Sequence, residues 1–258
     1  MTIPLNPWLP SRRADFMELD QLLDRVPRRP KLATHELVAA VLREAISGGH
    51  LKANQPLLQD EIAAQLRVSH IPVREALRQL QSEGLVDYQP NRGATVSALT
   101  PEEIREIYEI RAILETAAVR RATPRLSQTT LAQAERILDA SEAATDGPSW
   151  GSHDVDFHQL IYDLEGRPRL HELIAGLLRR VDRYWLTHGL MLRHRSQFER
   201  EHRALLAAIV ARDTGSAARL LEQHLAGACE HLVTELGEKP SAVSHRPSAD
   251  GRRSMANG

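Results

Sequence analysis

Residues 62–86 read IAAQLRVSHIPVREALRQLQSEGLV. Ile62, Ala63 and Leu66 recur at helical spacing; Arg67-Val68-Ser69 interrupts them, and apolar residues resume at Val73, Ala76, Leu77 and Leu80. That pattern is two short amphipathic helices joined by a tight turn, over Gln59–Leu66 and His70–Glu83. Ser69 stands where it can cap the second helix, and Pro72 is tolerated in a first turn that has no intrahelical N–H bond to lose. With the apolar set inward, His70, Ile71, Arg74, Arg78 and Gln81 share the outer surface. Upstream, His35–Ser47 carries Leu37, Val38, Val41, Leu42 and Ala45 on one side and stops at Gly48-Gly49. Downstream, Leu85–Tyr88 and Ala94–Ser97 read as two strands joined by Gln89-Pro90-Asn91-Arg92-Gly93. Three helices and a hairpin make a winged helix-turn-helix over 34–99. Such a helix fits the major groove, where Arg74 or Arg78 in bidentate contact with guanine contributes about 1–3 kcal/mol of discrimination. The plainer alternative is a small helical domain with a solvated arginine face.

Charge bears on that reading. The chain has 258 residues, with 33 Lys+Arg against 34 Asp+Glu and a net charge of −1, which excludes a uniformly basic protein that coats nucleic acid by charge alone. Within 34–99 there are 6 cations and 7 acids, yet Arg67, Arg74, Arg78 and Arg92 fall together at the expected recognition helix and wing. No stretch is apolar enough to span a membrane, no secretory leader is recognisable, and Cys229 has no internal partner. A cytoplasmic location is the expectation. Residues 1–33 read as a flexible tail with a short helix near Arg13–Leu23, and 238–258 as a disordered one.

From residue 100 to about 237 helical periodicity is nearly continuous. Glu103–Arg121 carries Ile104, Ile107, Tyr108, Ile110, Ile113, Leu114 and Ala117 as its apolar stripe, introduced by Thr100-Pro101. Further helices read as Gln128–Ala144, Ser152–Leu164, Pro168–His188, Arg193–Arg212 and Gly215–Leu236. The fold class is therefore mainly α, a winged helix-turn-helix followed by a six-helix antiparallel bundle.

In the bundle, Asp154 and His158 lie four residues apart on one helix face; His202 and His224 belong to the last two helices. Convergence of one carboxylate and three imidazoles would suit a divalent metal such as Zn or Ni. With 12 histidines in the chain, spacing alone leaves solvated or core histidines as the simpler account. Arg111 and Glu115, at i and i+4, could be no more than a surface salt bridge.

The stretch at 62–86, followed by PNRGATV at 90–96, resembles the winged-helix domain of the GntR family of bacterial transcription regulators. The helices beyond resemble its FadR-like branch with the FCD effector domain. The resemblance implies that Ser69, His70, Ile71, Arg74 and Arg78, with Arg92 and Gly93 of the wing, face DNA. The branch usually carries Arg-Thr where this chain has His70-Ile71, and Gly where it has Arg67; Arg67 could restore a backbone contact. It also implies that Asp154 and His158 (from D-x-x-F-H) and His202 and His224 (from EHRALLAAI and EQHL) hold a metal. Arg111 then points inward to an effector carboxylate, with Arg183 and Tyr184 as weaker pocket candidates and Trp185 and Met191 as packing. The function so implied is a homodimeric regulator, most simply a repressor, that binds a palindromic operator in double-stranded DNA and senses a small carboxylic acid. The alternatives are a bundle that only dimerises and a metal-dependent hydrolase. Against the latter, no general base stands beside the ligands, and Glu201 points about 100° away from His202.

Overall fold

A computed structural model describes residues 19–22, 33–89, 93–164, 166–187 and 189–238. The N-terminal unit contains α1 (Leu19–Leu22), α2 (Thr34–Ser47), β1 (Pro56–Leu57), α3 (Gln59–Leu66), α4 (His70–Ser82), β2 (Val86–Gln89) and β3 (Gly93–Val96). The three strands form an antiparallel sheet in the order β1-β3-β2, with Val86 opposite Val96 and Leu57 opposite Ala94. β1 is two residues long, too short for any alternation to announce it. Leu42, Ile46, Leu77, Leu80, Leu85 and Val96 form the core of this unit. Leu19 and Leu22 are buried in the same core and the Leu19 amide donates to Gln65 Oε1, so this part of the expected tail packs. The rest of the expected N-terminal tail, the C-terminal tail beyond residue 238, and Arg92 all lie outside the described residues.

The bundle contains α5 (Pro101–Ala122), α6 (Gln128–Ala143), α7 (Gly147–Tyr162), α8 (Pro168–Thr187), α9 (Leu190–Val210) and α10 (Thr214–Glu238). Starts are capped by the residues that punctuate the sequence. Thr100 Oγ1 accepts from the Glu103 amide while Glu103 Oε2 accepts from the Thr100 amide, a closed capping box with Pro101 in the first turn. Ser127 caps α6 and Asp146 caps α7 in the same way. Asp146-Gly147-Pro148 therefore opens α7, five residues before the predicted Ser152, because Pro148 sits where no intrahelical N–H is lost. α5 packs along α10 and meets α7 and α8; α6 meets α7 and α9, and α9 closes against α8 and α10. Gly151 permits this closeness, since a Cβ there would come within 2.9 Å of the Met191 side chain of α9. Ile110, Ile113 and Ala117, expected in the stripe of α5, are exposed; Arg111 and Glu115 are buried instead. No helix among the described residues is long and apolar enough to cross a membrane.

Candidate functional site

The turn between α3 and α4 closes on Arg67, whose backbone is left-handed at φ 54° and ψ 42°. That conformation suits glycine, which explains why Gly is usual at this position in the family that the sequence resembles. Ser69 occupies the cap of α4 with extended backbone, but its hydroxyl makes no capping bond. Val73, Ala76, Leu77 and Leu80 are buried, leaving Arg67, Ser69, His70, Ile71, Arg74 and Arg78 exposed on one surface, with Ile71 at 60%. Gly93, also exposed, opens β3. His70 Nδ1 lies 3.4 Å from Asp60 Oδ1 at the surface.

Inside the bundle, α7, α9 and α10 bring Asp154, His158, His202 and His224 together. His158 Nε2 is 3.2 Å from His202 Nε2, which is 3.4 Å from His224 Nε2; Asp154 Oδ1 is 3.3 Å from His202 Nε2 and 3.8 Å from His158 Nε2. The three histidines are buried. Their ring protons follow from their partners. Glu115, paired with Arg111, accepts from the Tyr162 hydroxyl at 2.6 Å, so the Tyr162 oxygen accepts from His158 Nδ1–H at 2.9 Å. Glu201 Oε2 accepts from His224 Nδ1–H at 2.7 Å. Both bonds leave Nε2 with a lone pair aimed at the cluster. Burial, reinforced by His224, holds His158 and His202 well below the usual imidazole pKa and so neutral. Burial likewise pushes the Asp154 carboxyl up to about 6, against the pull of His224 and Arg111. Several acceptor atoms thus crowd together with too few protons between them, and a divalent cation satisfies such a donor set.

Arg111 is 6% exposed, so the surface-bridge alternative fails. Its Nε donates to Glu115 Oε1 at 2.8 Å and its guanidinium lies 4.5 Å from the Tyr108 ring centroid. Burial works against its charge, and the Glu115 carboxylate beside it outweighs that and holds it protonated. The cluster and Arg111 border one cavity of about 750 Å³, to which α8 contributes Leu178, Asp182 and Trp185. Trp185 and Met191, read as packing, line this cavity. Arg183 and Tyr184 do not. They hold the junction with the winged unit: Arg183 Nη2 donates to the Ser97 carbonyl, and the Tyr184 hydroxyl accepts from the Leu99 amide at 2.7 Å. Leu99 ends the segment between wing and bundle, and α8 turns Arg183 and Tyr184 toward it. Asp156, exposed at the rim, is outside the donor cluster. Tyr162 was missed by sequence reasoning, and Glu201, set aside as pointing away from His202, stands beside His224 instead. Tyr162 follows His158 at i+4 and could have been found; Glu201 meets His224 across two helices and carried no local signal.

Two family models match the chain: "Bacterial regulatory proteins, gntR family" over residues 34–96 and "FCD domain" over 106–227. An uncharacterised HTH-type transcriptional regulator of Agrobacterium vitis, from the TAR-I ttuE-ttuC' intergenic region, is 34% identical over 126 residues, covering 46% of this chain and 74% of that protein. The HTH-type transcriptional repressor RspR of Escherichia coli K12 is 27% identical over 202 residues, covering 76% and 87%. Among solved structures, a putative GntR transcriptional regulator from Rhodococcus sp. RHA1 superposes with a TM-score of 0.68 at 27% identity, over 78% of this chain and 97% of that one. The chain belongs to the GntR family of bacterial transcription regulators, with an FCD domain behind its winged helix. It is a DNA-binding transcriptional repressor of that family, not an enzyme.

Proposed function

We propose that this repressor is a cytoplasmic homodimer that binds a palindromic operator and releases it when the bundle takes up a small carboxylic acid beside a divalent metal, Zn or Ni. Residues 34–99 form the DNA-binding domain and 100–237 the sensing and dimerisation domain. The observation that carries the sensing reading is the convergence of three buried Nε2 atoms and Asp154 on the cavity that Arg111 borders. Asp154, His158, His202 and His224 would hold the metal, which supplies a Lewis-acid site for effector oxygens; Arg111 supplies bidentate donors to the carboxylate. Arg74 and Arg78 read base edges, while Arg67, Ser69, His70, Ile71 and the wing residues Arg92 and Gly93 meet the backbone and groove walls. A two-fold dimer matches the two halves of a palindrome, and the exposed Ile110 and Ile113, one turn apart on α5, support a second copy packing there.

Three measurements test this. Arg74→Ala and Arg78→Ala should each abolish sequence-specific operator binding in a dimer of unchanged mass; retained specificity in both refutes the recognition-helix assignment. Metal analysis of purified protein should give stoichiometric metal that Asp154→Ala and His202→Ala lower. For the effector, Arg111 must be changed together with its partner, because a lone buried Glu115 would cost about 3–5 kcal/mol. The double variant R111M/E115Q should bind the operator normally and ignore every acid that releases the wild type. Unchanged release would leave the bundle as a dimerisation platform.

A further inference from the structure

Apart from the proposed metal, the cavity wall offers an anion little positive charge. Arg111 is the single arginine or lysine among its described lining residues, and Glu115 already faces that charge. The acids are more numerous: Glu44 and Asp156 are exposed, and of the three less exposed ones two are occupied. Glu115 takes Arg111 and Tyr162; Asp154 sits against His158 and His202. Asp182 differs. It projects from α8 into the same cavity, is mostly buried, and has no hydrogen bond or ion pair among the described residues. Burial is the main influence on it and pushes its carboxyl up to about 7, Arg111 pulling the other way and Asp154 adding to the rise. A half-buried carboxylate that faces a cavity and meets no donor among the described residues is able to accept a hydrogen bond from a bound molecule.

We propose that Asp182 is a specificity-determining residue: its carboxylate accepts a hydrogen bond from a hydroxyl or ammonium group that the effector carries in addition to its own carboxylate. The inference rests on the reading of Arg111 as the carboxylate anchor and narrows the effector to a hydroxy or amino acid. A plain alkyl acid leaves Asp182 unpaired, and a dicarboxylic acid sets a second anion against it. Asp182 also stands one residue before Arg183 and two before Tyr184, which hold Ser97 and Leu99 of the winged unit. A donor seated on Asp182 therefore acts on the helix that holds the junction.

The test is a binding titration, at pH 8 to favour the ionised Asp182 carboxylate, of the full-length, metal-loaded protein with matched acids: butyrate, 4-hydroxybutyrate, 4-aminobutyrate and succinate, and the six-carbon set hexanoate, 6-hydroxyhexanoate, 6-aminohexanoate and adipate. In at least one set the hydroxy or amino member should bind about tenfold or more tighter than the unsubstituted acid, with the dicarboxylate weakest. Asp182→Asn, nearly isosteric, should lose the preference for the amino member while an acceptor oxygen remains for the hydroxyl. Asp182→Leu should lose both preferences and leave the unsubstituted acid unchanged or improved. Thermal unfolding of each variant accompanies the titration; if Asp182→Leu does not fold, Asp182→Asn alone decides. Equal affinity for all members, or a dicarboxylate in first place, overturns the role of Asp182 if R111M/E115Q still weakens every acid. If that double variant weakens none, the anchor reading falls instead, and no binding by any acid of either length counts against both.

Discussion

Glu201 offers a graded test of the proposed metal site because it touches the histidine cluster through one bond only. Its Oε2 accepts from His224 Nδ1 at 2.7 Å, while its other oxygen accepts from Gln197 at 2.8 Å. Burial works against the carboxylate, yet the hydrogen bonds from His224 and Gln197 prevail and keep its pKa below the ordinary glutamate value. As an ionised acceptor it fixes the His224 tautomer and makes Nε2 more basic. Glu201→Gln keeps an acceptor oxygen and loses the charge, so zinc affinity should fall about tenfold, the low end for such partners, or about 1.4 kcal/mol. Glu201→Ala also frees the ring to rotate and should approach 100-fold. The assay is competition for zinc against a chromophoric chelator at fixed pH, with circular dichroism of metal-free protein to show that the helices persist. Indistinguishable curves for wild type and Glu201→Ala would mean that His224 does not bind metal through Nε2 in an orientation set by Glu201. The order Gln before Ala matters as much as the size, because a merely steric role for residue 201 would not separate them.

Three other outcomes follow from particular bonds. Arg43 and Glu83 clasp α2 to the end of α4 through Nε–Oε2 at 2.7 Å and Nη2–Oε1 at 2.5 Å, both side chains roughly one-fifth exposed. Burial raises the Glu83 pKa and Arg43 more than reverses that, so the folded value lies below the ordinary glutamate value of 4.5. The stability it contributes is present above the unfolded pKa and is lost as pH falls through the folded one. The gap in unfolding free energy between wild type and Arg43→Ala, about 1 kcal/mol after allowance for exposure, should close on acidification below pH 4.5. Arg67→Gly relieves the left-handed backbone and should stabilise the fold by up to about 1 kcal/mol, with operator binding weakened and its salt slope reduced by about one unit; unchanged stability in denaturant titration would refute the strain. Tyr184→Phe leaves the buried Leu99 amide without its acceptor and should cost about 1–3 kcal/mol in chemical unfolding; an unchanged unfolding free energy would refute the importance of this bond.

The sequence makes the architecture readable where one residue type has one physical use. Thr100-Pro101 and Asp146-Gly147-Pro148 each define a helix start; only the second needed the structure to say which side of the punctuation is helical. β1 stayed hidden because its two residues exist as a strand only through pairing with β3. In the bundle, helical spacing puts Asp154 and His158 on one face but by itself leaves solvated or core histidines as the simpler account; the family resemblance is what singled them out, together with His202 and His224. The pairing of Glu201 with His224, separated by 23 residues, depends on the relative rotation of α9 and α10, which no local pattern encodes. The stripe of α5 was misjudged at Ile110 and Ile113 for a related reason. Hydrophobicity marks faces that avoid water, whether they meet this chain's core or another surface, and on α5 the core face carries the ion pair Arg111–Glu115.

That inversion on α5 bears on how sensing could reach DNA. An effector changes an equilibrium only through unequal affinity for two arrangements, so the element it touches must itself be part of both. α8 is the element that meets this requirement. Leu178, Asp182 and Trp185 line the cavity, while on the same helix Arg183 and Tyr184 grip Ser97 and Leu99 at the end of the wing. Its fit against the winged unit is close: Gly84, at φ +72°, lies where a Cβ would come within 3.1 Å of the Arg180 Nε. A helix that lines the cavity with some residues and holds the wing with others can respond by shifting as a unit. A small rotation that seats a ligand donor on Asp182 must then be felt at Leu99. Gly84→Ala tests this from the far side, since it perturbs the same packing without entering the cavity. It should alter operator affinity and effector affinity together, and a change in one alone would mean that α8 does not couple them.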